Sequence, residues 1–183
     1  LGLSEIGIKI GKQGNIIVNE FNQTNIESIY AIGDVTDRIN LTPVAIAEGH
    51  AFSDREFGNK NRFISYDNVP SAVFSQPPVS VVGLTLEDTK TLNIKAKEFV
   101  SEFNPLKNTI TGKQEKTIMK LVVDENDKVL GAHMLGDYSP EIIQGIAISI
   151  KAGAKKSDFD ATIGIHPTLS LIHISEPTRR IHI

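Results

Sequence analysis

Two places in this 183-residue chain put side chains capable of chemistry in informative company. The first is Gly33-Asp34, which follows the short apolar run Ile29-Tyr30-Ala31-Ile32. The β-branched and aromatic residues of that run predict a buried strand. A carboxylate leaving a strand's C-terminal edge stands where ligands of open α/β sheets bind. A little further on, Thr42 and Pro43 predict an N-cap and a first helical position. A helix starting there aims backbone N–H groups and a partial positive charge at whatever lies in front of it. The pair therefore offers a carboxylate for a polyol or ribose and a helix tip for an electron-rich ring or phosphate. Taken alone, Gly33-Asp34 is equally a turn that merely leaves a strand. The second place is His166, within Ile163-Gly164-Ile165-His166-Pro167-Thr168. Imidazole titrates near neutral pH and suits proton transfer. Alone, a histidine before proline is equally a structural loop residue.

The elements that must position these groups fall into two blocks. In the first, residues 1–11 read as a connector with alternating Ile6, Ile8 and Ile10, and 12–15 as a turn. Residues 16–18 are a short expected strand, 22–27 a polar loop and 29–32 the buried strand. The helix from Pro43 carries Val44, Ala45, Ala47, Ala51, Phe52 and Phe57, and Gly58-Asn59 ends it. Residues 59–68 are polar and mark the expected domain boundary.

In the second block, 71–75 and 79–84 are strand-like around Gln76-Pro77-Pro78. Thr85 and Asp88 form a capping box before a short helix. Residues 94–103 form a strand whose apolar phase changes, which predicts a bulge between Ala96 and Phe99. Residues 117–123 and 129–135 make a hairpin. Ser139 is the expected cap, and Pro140 the expected start, of a helix striped by Ile142, Ile143, Ile146, Ala147 and Ile150 and closed by Gly153. This stripe is either core or subunit contact. Strands with hairpin connections followed by a helix argue an antiparallel α+β domain.

Composition narrows the function. Hydrophobic residues make up 40% and charged residues 22%, and the formal net charge is −3. That balance gives no reason to expect nucleic acid or an acidic membrane surface. No apolar run approaches the roughly 20 residues of a membrane span. There is no cysteine, so the chain itself holds no redox-active pair.

Tyr30-Ala31-Ile32-Gly33-Asp34-Val35-Thr36 followed by Leu41-Thr42-Pro43-Val44-Ala45 closely resembles the second flavin motif of the flavoprotein disulfide reductases. Within that family the chain looks most like the glutathione reductases. Lys107-Asn108-Thr109 is most similar to those of plants and photosynthetic bacteria. The resemblance runs from Leu1 to Thr168. It implies α/β plus α+β architecture: the C-terminal part of an FAD-binding domain over residues 1–58, a linker over 59–68 and a dimerisation domain over 69–168. It implies that Gly33, Asp34, Leu41, Thr42 and Pro43 line the cofactor site, with Asp34 on the FAD ribityl chain and the helix tip at the isoalloxazine. It further implies that His166 reaches the partner subunit's cysteine pair in a homodimer and protonates the first glutathione leaving group. The reaction implied is NADPH-dependent reduction of glutathione disulfide, in the cytoplasm or a plastid, with no metal, nucleic acid or membrane.

The chain opens mid-pattern, so the cysteine pair, the Gly-x-Gly-x-x-Gly fingerprint and the NADPH domain are expected outside it. This chain alone is expected to be inactive. Trypanothione, mercuric, dihydrolipoamide and thioredoxin reductases are related alternatives, although Leu41-Thr42-Pro43-Val44-Ala45 argues against the dihydrolipoamide enzyme. A non-catalytic dimerisation module is a reading of another class.

His50 is expected to be a solvated surface residue. Gln76-Pro77 and His166-Pro167 are candidate cis bonds by resemblance. The family places a glutamate five residues after the histidine to orient it; here that residue is Leu171. Residues 169–183 resemble a translated sequencing-library adapter. They are expected to be non-native, so that His173 and His182 carry no ligand role.

Overall fold

The computed structural model describes residues 1–166 together with Thr168 and Leu169. The chain divides into two compact units, Leu1–Tyr66 and the residues from Asp67 onward.

In the first unit, connecting segments fold onto a small apolar cluster of Ile8, Ile16 and Ala31, flanked by Leu3, Val18, Ile26 and Ile29. The two strands expected at 16–18 and 29–32 do not form. Single bridges, Ile10 to Ile16 and Gln23 to Tyr30, stand in their place. A strand persists only where a neighbour continues its ladder, and here each segment meets its neighbour at one residue before turning away. Isolated backbone bonds do the tying: Ile16 N–H donates to Val35 O at 2.8 Å and Ala31 N–H to Asn22 O at 2.9 Å. Ile32, expected to be buried, is 39% exposed. Helix α1 (Thr42–Glu56) is the unit's main regular element.

The second unit is a five-stranded antiparallel sheet in the order β1-β2-β5-β4-β3. Its strands are β1 (Ser71–Val73), β2 (Val79–Gly83), β3 (Ala96–Phe103), β4 (Thr117–Asp124) and β5 (Val129–Leu135). Short helices α2 (Leu86–Thr91) and α3 (Leu106–Thr111) flank β3, and α4 (Ser139–Lys151) and α5 (Lys156–Ala161) follow the sheet. The Gln76–Pro77 bond is cis; Pro167 and residues 170–183, including Leu171, His173 and His182, lie outside the described residues.

One face of the sheet is the core. Val82, Ala132, Leu121 and Phe99 stand side by side across four strands. Ile143, Ile146, Ala147 and Ile150 of α4 and Phe159 of α5 cover them. The stripe on α4 is thus core. Its end is a Schellman motif: Ala154 N–H reaches Ser149 O at 3.0 Å, and Gly153, at φ +82°, reaches Ile150 O at 2.9 Å.

Two local expectations change. β3 pairs with β4 residue for residue from Ala96 to Phe103, with no bulge. Glu98 does not break the phase. It occupies the face opposite the helices, where its carboxylate lies 2.9 Å from Lys120 Nζ. The irregularity falls instead between Val122 and Val123, against β5. Ser139 is not a cap. It is the first residue of α4, fully buried, with Oγ 3.0 Å from Ser80 Oγ and 3.2 Å from the Pro78 carbonyl. The buried Ser80 hydroxyl needs a partner, and that claims the side chain. The box before α2 does form: Thr85 Oγ1 accepts from Asp88 N–H at 3.1 Å, and Asp88 Oδ2 accepts from Thr85 N–H at 2.8 Å.

Candidate functional site

Gly33 opens a single 3-10 turn, Gly33–Thr36. Its φ of +70° lies in the left-handed region, and a Cβ there would sit 3.1 Å from Ala45 Cβ. Both facts call for glycine, because the backbone is pressed against the first turn of α1. Thr36 Oγ1 donates to Gly33 O at 2.8 Å, and Asp37 N–H to Asp34 O at 3.0 Å, which closes the turn. Asp34 is exposed on this anchored turn.

The tip of α1 differs from expectation by one residue. Leu41, extended at φ −133°, holds the N-cap, Thr42 is the first helical residue and Pro43 follows. No side chain caps this end. Val44 and Ala45 N–H groups both turn to Leu41 O, at 3.0 and 3.1 Å, and Leu41 N–H donates to Ile39 O. Pro43 has no N–H. Among the described residues Thr42 is thus left as the amide that the first turn presents.

A residue the sequence reading passed over lies between these features. Glu48, on α1, is 1% exposed. Its Oε2 accepts Gly33 N–H at 2.5 Å and its Oε1 accepts Tyr66 O–H at 2.5 Å. Arg38 Nη1 lies 3.9 Å from Oε1 and donates to Tyr66 Oη at 2.7 Å. Arg38 Nη2 is spent on the Asn19 carbonyl at 2.6 Å. Burial, reinforced by the Glu48 carboxylate it donates to, pushes the Tyr66 phenol above its ordinary pKa despite the nearby guanidinium. A helical wheel would have found Glu48: it shares the buried stripe with Val44 and Ala51, where a charge is out of place. His50, on the same helix, is exposed.

His166 is described by itself, within the second unit. It sits exposed in a turn after Ile163 and Ile165, which are 94% and 70% exposed. Thr168 Oγ1 donates back to Ile165 O at 2.5 Å. Among the described residues no cluster of acidic and histidine side chains could hold a metal, and no helix is long and apolar enough to cross a membrane.

The profile of the pyridine nucleotide-disulphide oxidoreductase dimerisation domain matches residues 69–173, more than half of the chain. The chain belongs to the pyridine nucleotide-disulphide oxidoreductase family. A second profile, for the pyridine nucleotide-disulphide oxidoreductase domain itself, matches residues 1–49. Gly33, Asp34, Leu41, Thr42 and Pro43 lie in the latter match and His166 in the former. The chain is similar to glutathione reductase of Nostoc sp., 54% identical over 156 residues, which is 84% of this chain and 34% of that protein. It is similar to the chloroplastic/mitochondrial glutathione reductase of Pisum sativum, 47% identical over 184 residues, 99% of this chain and 33% of that protein. Trypanothione reductase of Trypanosoma congolense is 48% identical over 170 residues, 92% of this chain and 35% of that protein. The chain thus spans about a third of the length of these family members.

Proposed function

We propose that the full-length polypeptide is an NADPH-dependent, FAD-containing glutathione-disulfide reductase, and that this chain supplies part of its flavin site and its proton-transfer histidine. The observation that carries this reading is the Gly33-Asp34 turn packed on the first turn of α1, with an exposed carboxylate at one end and the Thr42 amide at the other. The fit to a flavin is chemical. A carboxylate accepts hydrogen bonds from a ribityl polyol, and a helix tip favours the negative charge of a reduced ring. Gly33, Asp34, Leu41, Thr42 and Pro43 would hold that group. When bound, the flavin supplies two-electron transfer between nicotinamide and disulfide.

The chain's own residues bind, orient and move a proton. Asp34 orients the polyol. The hydrogen-bonded turn behind it holds the carboxylate in place. His166 protonates the thiolate leaving group of the first glutathione, with the cysteine pair contributed from outside residues 1–183. The match to a dimerisation domain, and the exposed Ile163 and Ile165 beside His166, support a homodimer in which a second subunit completes that site. Residues 1–58 then belong to the flavin domain, 59–68 to a linker and 69–168 to the interface domain, with 169–183 an adapter-derived tail.

Turnover by the full-length enzyme tests the reading. NADPH oxidation with glutathione disulfide, and not with lipoamide, is expected. His166→Gln should lower kcat by about 10²- to 10⁴-fold. Preference for lipoamide, or a purified protein that binds no flavin, would overturn it. The similarity to trypanothione reductase makes trypanothione disulfide the competing substrate to include.

A further inference from the structure

Glu48 carries a buried charge that no part of the proposed reaction uses directly. A buried carboxylate is costly unless its oxygens are matched to donors. Here both are: one takes Gly33 N–H and the other takes Tyr66 O–H. The acceptor-only chemistry of an ionised carboxylate suits two converging donors. Leucine in its place fills a similar volume but has no acceptor, and would leave Gly33 N–H without this partner, whereas glutamine could still turn its carbonyl to Gly33 N–H and its amide to the Tyr66 hydroxyl.

The consequence lies at Gly33. Its N–H bond to Glu48 is, among the described residues, the hydrogen bond that joins the Gly33–Thr36 turn to α1. The other bonds of the turn run within it or to the preceding segment, as with Thr36 Oγ1 to Gly33 O and Ile16 N–H to Val35 O. Asp34 follows Gly33 directly, so the direction in which its carboxylate leaves the turn depends on how Gly33 is held. Tyr66 and Arg38 hold Glu48 from behind.

We propose that Glu48 is a positioning residue for the flavin site: by clamping Gly33 N–H, it sets the Asp34 carboxylate relative to the tip of α1. This rests on the reading of Asp34 as a flavin ligand.

The experiment is a double-mutant cycle in the full-length protein, read as the dissociation constant for FAD after removal and reconstitution of the flavin. Glu48→Leu alone should weaken FAD by about tenfold, the effect of losing one hydrogen bond to a charged acceptor. In an Asp34→Asn background the same change should weaken FAD by less than about twofold, because its effect passes through Asp34. A tenfold loss in both backgrounds, or none in the wild type, overturns the proposal and leaves the flavin reading intact. Unchanged affinity in Asp34→Asn alone overturns the flavin reading instead, and the clamp's purpose with it. Should Glu48→Leu fail to fold, Glu48→Ala, which also removes the acceptor for Gly33 N–H, enters the same cycle with the same two readings.

Discussion

Tyr66 donates its hydroxyl to Glu48 at 2.5 Å from the far end of the first unit, 18 residues along the chain. Tyr66→Phe removes that donor and leaves a buried carboxylate oxygen without its partner. A loss of about 1–3 kcal/mol in unfolding free energy is expected. Urea melts followed by circular dichroism check it, and an unchanged midpoint would mean that Gly33 N–H and Arg38 compensate Glu48 without Tyr66.

Gly33→Ala asks an alanine to hold φ +70° against Ala45. The left-handed conformation costs about 1–2 kcal/mol, and the contact with Ala45 Cβ adds to it. The variant should be less stable and should release FAD more readily than wild type. Flavin absorbance retained through gel filtration reads the second effect.

His133 gives the second unit a pH dependence. It lies on the sheet face opposite α4, flanked in register by Val81 and Lys120, and its Nδ1 is buried and has no hydrogen-bond partner among the described residues. Burial chiefly, and then the Lys120 ammonium, lower its pKa below the ordinary 6.5, while Glu98 and Asp88 oppose them. The neutral form is thus favoured in the fold. The unfolded chain takes up the proton first as pH falls through 6.5, so stability decreases on acidification until the folded form is protonated too. Thermal midpoints between pH 7.5 and 5 should fall, and His133→Gln should flatten the part of that slope nearest 6.5.

Ile143 is 1% exposed between α4 and the sheet. Ile143→Ala should cost about 2–5 kcal/mol through lost burial and the cavity left behind. Ile148→Ala, on the same helix but 67% exposed, should stay within about 0.5 kcal/mol. Equal effects would contradict the placement of the core.

Much of the second unit was legible because its signals are local. The box at Thr85 and Asp88, the hairpin around 124–127, the stripe on α4 and the glycine that ends it each depend on residues a turn or two apart. The exceptions were decided from across the fold. Ser139 was drawn from capping by Ser80, 59 residues away in sequence. Glu98, whose charge suggested a bulge, found Lys120 on the next strand. In the first unit the apolar runs at 16–18 and 29–32 were read correctly as apolar but not as strands, since pairing belongs to two segments and neither run contains its partner.

The candidate site divides the same way. Residue types offered Gly33, Asp34, Thr42 and Pro43 as a carboxylate after a strand and a nearby helix start, and the family resemblance, not the types alone, marked them out as a candidate flavin site. What the sequence could not specify was how turn and helix are held together. That fell to Glu48, Tyr66 and Arg38, which come from separate stretches of chain. Whether a carboxylate is solvated on a helix or buried as a clamp depends on which donors the folded backbone brings to it.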